Sequence, residues 1–374
     1  MSTEERKVVL EVKGLTKKFG NDIAVKNISF NLYDGEFLFV IGPSGCGKTT
    51  TLRMIGGYEF PSSGEISVRG QLLNNVPLEK RNIGMVFQSY ALFPHMTVQK
   101  NVEYGLRMRG ISKGARREKV ADVLSLVELE EFSDRYPSQL SGGQKQRVAL
   151  ARVIVLEPDL LLLDEPLANL DKRLRDTMRV ELKKLQEKVG ITTLYVTHDQ
   201  EEALAMADRI VVMHDGNILQ VGSPKDVYNA PSSPFVAGFL GETSSFHGTV
   251  RACPDGTREI VVDDDMTVKP SPTHLLNDSD SVFVSIRPER IQLSKEKQIQ
   301  EVNCTSGIID FVSYLGSHVV YFINVLSGRA LLKASEAIPT GEASFKVGDR
   351  VQAYWQEENV VCISEDREDS AVNV

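Results

Sequence analysis

The stretch "GPSGCGKTT", residues 42–50, constrains the fold of this chain more than any other. Its spacing satisfies G-x-x-x-x-G-K-[ST], with Gly42, Gly47, Lys48 and Thr49 at the defining positions. Gly45 and Gly47 can take positive φ, which lets successive backbone N–H groups curl into a concave anion site. The preceding "GEFLFVI" has the continuous apolar character of a buried strand, and the following "TTTLRMI" opens a helix whose N-terminus favours negative charge. A surface turn would need neither flank. Gly42, Pro43, Ser44, Gly45, Cys46, Gly47, Lys48, Thr49 and Thr50 therefore form a candidate nucleotide cradle. Lys48 would place a point charge on the β/γ-phosphates, and Thr49 would offer a hydroxyl to Mg²⁺.

The surrounding pattern predicts an α/β domain. Strand-like segments such as "VVLEVKGLTKKF", "NISFNLYDG", "FLFVIG", "LLLLDEP", "TTLYVTHD" and "RIVVMHDG" alternate with helical ones. Apolar runs such as Leu160 to Leu163 suit strands covered on both faces, as in a parallel sheet flanked by helices. "DKRLRDTMRVELKKLQEKVG" places Leu174, Met178, Leu182, Leu185 and Val189 on one helical stripe, with Asp171 to cap its start and Gly190 its end. Residues from about 95 to 155 are helix-patterned with no strand between them, which reads as a helical subdomain within a domain spanning 1–240. Val120, Val123, Leu124 and Val127 mark the buried side of one of its helices. After the Pro/Ser-rich "APSSP", short alternating segments punctuated by turns predict a β-rich barrel or sandwich over 241–365. Residues 366–374 are polar and expected to be disordered.

Composition narrows the function. A net charge of −8 gives no global basic footprint for nucleic acid. The four cysteines are scattered with no C-x-x-C pair, which favours a reducing compartment over a disulfide or zinc framework. The N-terminus lacks a signal peptide's apolar core, and no apolar run approaches the roughly 18 residues needed to span a bilayer. The expected location is the cytosol, free or bound to a membrane partner.

Two further stretches carry chemistry. "LLLLDEP" ends a strand with Asp164 and Glu165. The first carboxylate can hold Mg²⁺ through its water shell, and the second can orient or deprotonate an attacking water. "LSGGQKQRVALAR" begins with Ser141 and two glycines ahead of an apolar-periodic run, a second helix N-terminus open to an anion. One nucleotide needs only one cradle, so the pair poses a puzzle.

At these residues the chain resembles the ATP-binding cassette family of transporter ATPases over roughly residues 8–240. The family's features occur in order: the phosphate loop Gly42 to Thr49, Gln88 in "VFQSYALFPHMTV", the signature "LSGGQ" (140–144), "LLLLDEP", "ANLD" (168–171), and His198 in "TLYVTHD". Phe19 lies where the family usually has an aromatic that stacks on adenine. The resemblance implies that Lys48 contacts the phosphates, that Thr49 and Gln88 ligate Mg²⁺ with Asp164 acting through water, and that Glu165 is the general base. His198 would contact the γ-phosphate and hold the attacking water. Ser141, Gly142, Gly143 and Gln144 would reach the nucleotide of a second copy. That answers the puzzle: two chains meet head to tail, each ATP held between one copy's phosphate loop and the other's signature.

"SIRPERIQLS" (285–294) resembles the oligomer-binding-like accessory domain, known as TOBE, of importer ATPases for polyamines, iron, sugars and oxyanions. The resemblance implies an ATP-hydrolysing importer subunit. It would work as a homodimer with two transmembrane permease subunits and a periplasmic or extracellular solute-binding protein, at the cytoplasmic face of the inner membrane. "FQSYALFPHMTV", "GLRMRG" and "FVAGFLG" are most similar to polyamine-type systems; iron, sugar and phosphonate importers are the alternatives. A cassette ATPase of DNA repair would carry a long coiled coil between phosphate loop and signature. Only about 90 residues separate Lys48 from Ser141 here. Translation factors of the family usually carry two cassettes, and this chain has one.

Overall fold

The computed structural model describes residues 7–264, 266–271, 276–296, 303–338 and 341–364; the expected disordered tail lies outside them. The chain divides into two compact units after Lys225.

In the first unit, β1 (Val8–Phe19) and β2 (Asp22–Tyr33) form an antiparallel pair, extended by β4 (Ser63–Val68) and β5 (Gln71–Leu72) in the order β2-β1-β4-β5. The other sheet contains β3 (Phe37–Ile41), β6 (Ile83–Val86), β7 (Leu160–Asp164), β8 (Thr193–Thr197), β9 (Arg209–His214) and β10 (Asn217–Gly222). Its order is β10-β9-β3-β8-β7-β6, parallel except for the antiparallel edge strand β10. Every residue of β3, β7 and β8 is buried, as a sheet covered on both faces requires.

Alternate side chains of these strands serve different layers. Leu38, Val40, Leu160, Leu162, Leu194 and Val196 pack in one core with the antiparallel sheet and with α1 (Lys48–Gly56). On the opposite face Phe39 stacks on Tyr195, ring centroids 4.3 Å apart. Arg81, 5% exposed, stitches α1 to the segment after β5: its guanidinium donates to the carbonyls of Met54 and Ile55, and to those of Leu73 and Val76.

Helices α2 (Val98–Met108), α3 (Lys113–Leu126) and α4 (Gly142–Ile154) form a separate core around Val102, Leu106, Val120, Leu124, Val148 and Ala151. The long helix α5 (Lys172–Val189) starts on Asp171, whose carboxylate accepts from Leu174 N at 3.0 Å, and ends on Gly190 in the left-handed region. Of its expected stripe, Met178 and Leu182 are buried, whereas Leu174, Leu185 and Val189 are half-buried. A short α6 (Gln200–Met206) follows β8.

The second unit is built of strands after the short helices α7 (Pro224–Asn229) and α8 (Pro234–Phe239). One five-stranded antiparallel sheet draws on residues 244–286 and 360–364, another on 292–337 and 350–355, and both feed one core around Val284, Tyr321, Ile323 and Trp355. The "IRPE" arginine, Arg287, is 3% exposed. It donates to the carbonyls of Tyr228, Ala237, Gly241 and Glu242 and lies 4.1 Å from the Tyr228 ring centroid. The motif therefore ties the helical lead-in to the strands of its own unit.

Candidate nucleotide site

Sheet order assembles the site. Four neighbouring parallel strands, β3, β8, β7 and β6, deliver at their carboxyl ends the phosphate loop, His198, Asp164 with Glu165, and Gln88. In open α/β sheets that end is where ligands bind.

The loop from Gly42 to Gly47 wraps toward α1, and its glycines are there for space as well as conformation. A Cβ on Gly42 would stand 2.1 Å from the Met213 carbonyl oxygen, and one on Gly47 2.5 Å from that of Ala24. Gly45 (φ 83°) and Gly47 (φ 104°) take the left-handed region, and Ser44 and Gly45 are exposed. Among the described residues no side chain caps α1, and its first turn carries no acid. Its N-terminal amides and dipole are thus left for an external anion, which is the fit a triphosphate requires. Lys48 is 5% exposed, and its ammonium donates to the Gly42 and Pro43 carbonyls at 2.8 Å each. Burial pushes the Cys46 thiol up from its ordinary range, which keeps it protonated beside that ammonium.

Thr49 donates through Oγ1 to Asp164 Oδ1 at 3.2 Å. A hydroxyl and a carboxylate that already meet are an apt pair of oxygen donors for Mg²⁺. Burial raises the Asp164 carboxyl above its ordinary range; the Thr49 hydrogen bond works against that shift, and the neighbouring Glu165 adds to it. The ionised form therefore costs stability in the fold, and the cost grows as pH rises above the ordinary value of 3.8. Asp164→Asn is expected to raise the melting temperature of the nucleotide-free chain at pH 7, with the gain shrinking toward pH 4.5. Thermal melts of both proteins across that range check it, and a pH-independent difference would assign the effect to something other than charge.

Glu165 follows with φ 46°, left-handed backbone that costs a non-glycine residue about 1 kcal/mol. Its N–H donates to the Val196 carbonyl at 2.9 Å, and its Oε1 lies 3.0 Å from His198 Nδ1. The bent turn thus places the candidate base and the candidate histidine in contact.

Gln88 is exposed on the turn after β6. Its carbonyl accepts from Asn169 Nδ2 at 2.8 Å, so the "ANLD" loop touches the Gln88 loop directly. The apolar stretch beyond it is pinned from the helical side. Arg152 donates to the Tyr90 and Ala91 carbonyls, and buried Asn101 bonds both the N–H and the carbonyl of Phe93. Phe19 is 49% exposed at the end of β1, with the Lys17 ammonium 4.7 Å from its ring centroid.

Ser141 caps α4 in a reciprocal box: its Oγ accepts from Gln144 N at 3.3 Å, and Gln144 Oε1 accepts from Ser141 N at 2.9 Å. The two glycines fit because α5 and its lead-in lie close. Added Cβ atoms on Gly142 and Gly143 would meet Leu170 at 2.8 Å and Met178 at 2.9 Å. Among the described residues, no hydrogen bond or ion pair joins Ser141–Gln144 to the phosphate loop of the same chain.

The protein with this site is 43% identical over 365 residues to a spermidine/putrescine import ATP-binding protein of Trichodesmium erythraeum, covering 96% of this chain and 95% of the relative. The chain belongs to the ATP-binding cassette transporter family. The ABC transporter family profile matches residues 25–168, and that of the TOBE domain matches 284–363. A relative of the same name from Photobacterium profundum is 42% identical, with 98% of this chain and 99% of the relative covered. An ABC transporter subunit of known structure, cbiO1 from Clostridium perfringens, superposes with a TM-score of 0.56 at 32% identity over 59% of this chain and 90% of its own. The cassette MJ0796, a dimer in a post-hydrolysis state with ADP and phosphate, gives 0.51 at 35% identity over 57% of this chain and 98% of its own. As a family member the chain is an ATP-binding cassette ATPase, and no described helix is long and apolar enough to cross a membrane.

The sequence analysis assigned no role to three side chains around this cassette's site: Asn169, although it lies within the quoted "ANLD", Arg175 and Asp199. Asp199 carried a readable local signal, because "HDQEEA" places an acid where it can cap the next helix; it accepts from the N–H groups of Glu201 and Glu202.

Proposed function

We propose that this ATPase powers an importer for polyamines of the spermidine and putrescine class. The supporting observation is that relatives bearing that name are 41–44% identical over 85–98% of this chain. A second reading, iron(III) import, draws on a Fusobacterium nucleatum relative named for Fe(3+) ions, 41% identical over 362 residues. In either case two copies would act together at the cytoplasmic face of the membrane. Transmembrane subunits and an external solute-binding protein would complete the importer.

In this reading Lys48 and the uncapped amides of α1 hold the phosphates of ATP, and Phe19 stacks on the adenine. A magnesium ion held by Thr49 and Gln88, with Asp164 acting through its water shell, would neutralise charge on the β- and γ-phosphates. Glu165 takes the proton of the attacking water. His198, steadied through Nδ1 by Glu165, keeps its other ring nitrogen for the γ-phosphate. Ser141, Gly142, Gly143 and Gln144 close on the nucleotide of the second copy, and hydrolysis then removes the anion that bridges the two chains.

The test is uptake of labelled putrescine, spermidine and ferric iron in cells lacking the gene, and in the same cells carrying it back. Restored polyamine uptake supports the first reading; restored iron uptake alone replaces it with the second.

A further inference from the structure

The loop between β7 and α5 is tied to both of its neighbours at the site. Asn169 reaches the Gln88 carbonyl at 2.8 Å. On the other side Arg175, in the first turns of α5, donates through Nη2 to the Leu170 carbonyl at 3.2 Å and through Nη1 to Asp199 Oδ2 at 3.3 Å. Arg179, one turn on, donates to the same Oδ2 at 3.0 Å. Asp199 follows His198 in the chain. Its Oδ1 caps α6, and its N–H donates to Thr197 Oγ1 at 3.0 Å. The side chains of Arg175, Asp199 and Arg179 are 29%, 18% and 12% exposed, so this arrangement is less screened than a fully exposed surface pair.

We propose that Arg175 is a positioning residue, a bidentate brace that holds the Leu170 loop to the His198 loop through Asp199. In doing so it fixes His198 against Glu165. The inference rests on the reading of Glu165 and His198 as the hydrolytic pair. A forked guanidinium can hold a carbonyl and a carboxylate at once, which an ammonium cannot do with the same geometry. Lys48 and the phosphate loop take no part in these bonds, so the brace affects turnover and leaves nucleotide affinity alone.

The experiment compares MgATP hydrolysis by the full chain with that of Arg175→Ala, Asp199→Asn and the double variant. Asparagine keeps the cap of α6 but loses the charge that both arginines hold. The expected result is a fall in kcat of about tenfold in each single variant, with KM within about twofold. The double variant should be no worse than Asp199→Asn alone, because Arg175→Ala breaks a link that the loss of the carboxylate has already removed. Lys183→Ala, elsewhere on α5, is the control and should leave both constants unchanged. Should Arg175→Ala fold poorly, Arg175→Lys keeps a cation beside Asp199 and should still lose turnover.

The brace is overturned if a folded Arg175 variant keeps parental kcat, or if the two single losses multiply in the double variant. His198→Ala, assayed in parallel, separates the two levels. Lost turnover there with parental turnover in the Arg175 variants sinks the brace alone; parental turnover in His198→Ala sinks the reading beneath it as well.

Discussion

Glu165→Gln is expected to lower steady-state MgATP turnover by at least about 100-fold and to leave nucleotide binding intact. Glutamine has the shape of glutamate and keeps a side-chain oxygen for His198 Nδ1, which lies 3.0 Å from Glu165 Oε1. It also leaves the backbone pairing with the Val196 carbonyl undisturbed. What it cannot do is accept a proton, so only the step that needs a base should fail. With cleavage blocked, ATP stays between two copies, and the chain should elute as a dimer when ATP and magnesium are present. Size-exclusion chromatography with light scattering reads the mass, and phosphate release reads the turnover. Parental turnover would remove Glu165 from the base role.

Lys48→Ala should instead weaken binding. The lysine is the one basic side chain within the loop, and it is buried with its ammonium on two backbone carbonyls. Hydrogen bonds to charged groups contribute about 1.5–3 kcal/mol each, so the loss of this cation from the phosphates should weaken ATP affinity by about 100-fold or more. The fold should suffer little: the substitution frees two carbonyls but also removes a desolvated charge, and these effects oppose each other. Calorimetric titration with ATP measures the affinity, and a thermal melt measures the fold. A weakened affinity accompanied by a large drop in melting temperature would point to loop collapse and away from a direct role in holding phosphate.

The residues readable in the sequence were those whose meaning is local. A glycine-rich turn after an apolar strand, a pair of acids at a strand end and a histidine after another strand each declare themselves within ten residues. Sheet order then brings them together, and the parallel pattern of buried strands made that order foreseeable in kind. The separate antiparallel sheet was not foreseeable. β4 comes after α1 in the chain yet pairs back to β1, through a register interrupted by a bulge, and nothing local in "SGEISV" announces that partner. Asn169 and Arg175 escaped for the same reason. Each bonds a backbone carbonyl or an acid brought close by tertiary structure, so even where a motif includes the residue, as "ANLD" does Asn169, nothing local names its partner. In the second unit the strands were visible as alternating segments. That Arg287 gathers four carbonyls from the residues before them was not.

The reciprocal cap at Ser141 and Gln144 bears on the kinetics of assembly. Because the start of α4 is already ordered by its own side chains, the proposed docking onto a neighbour's nucleotide would call for no folding of this segment. Association of two copies should then be governed by diffusional encounter and orientation, with a rate constant sensitive to ionic strength and only weakly to temperature.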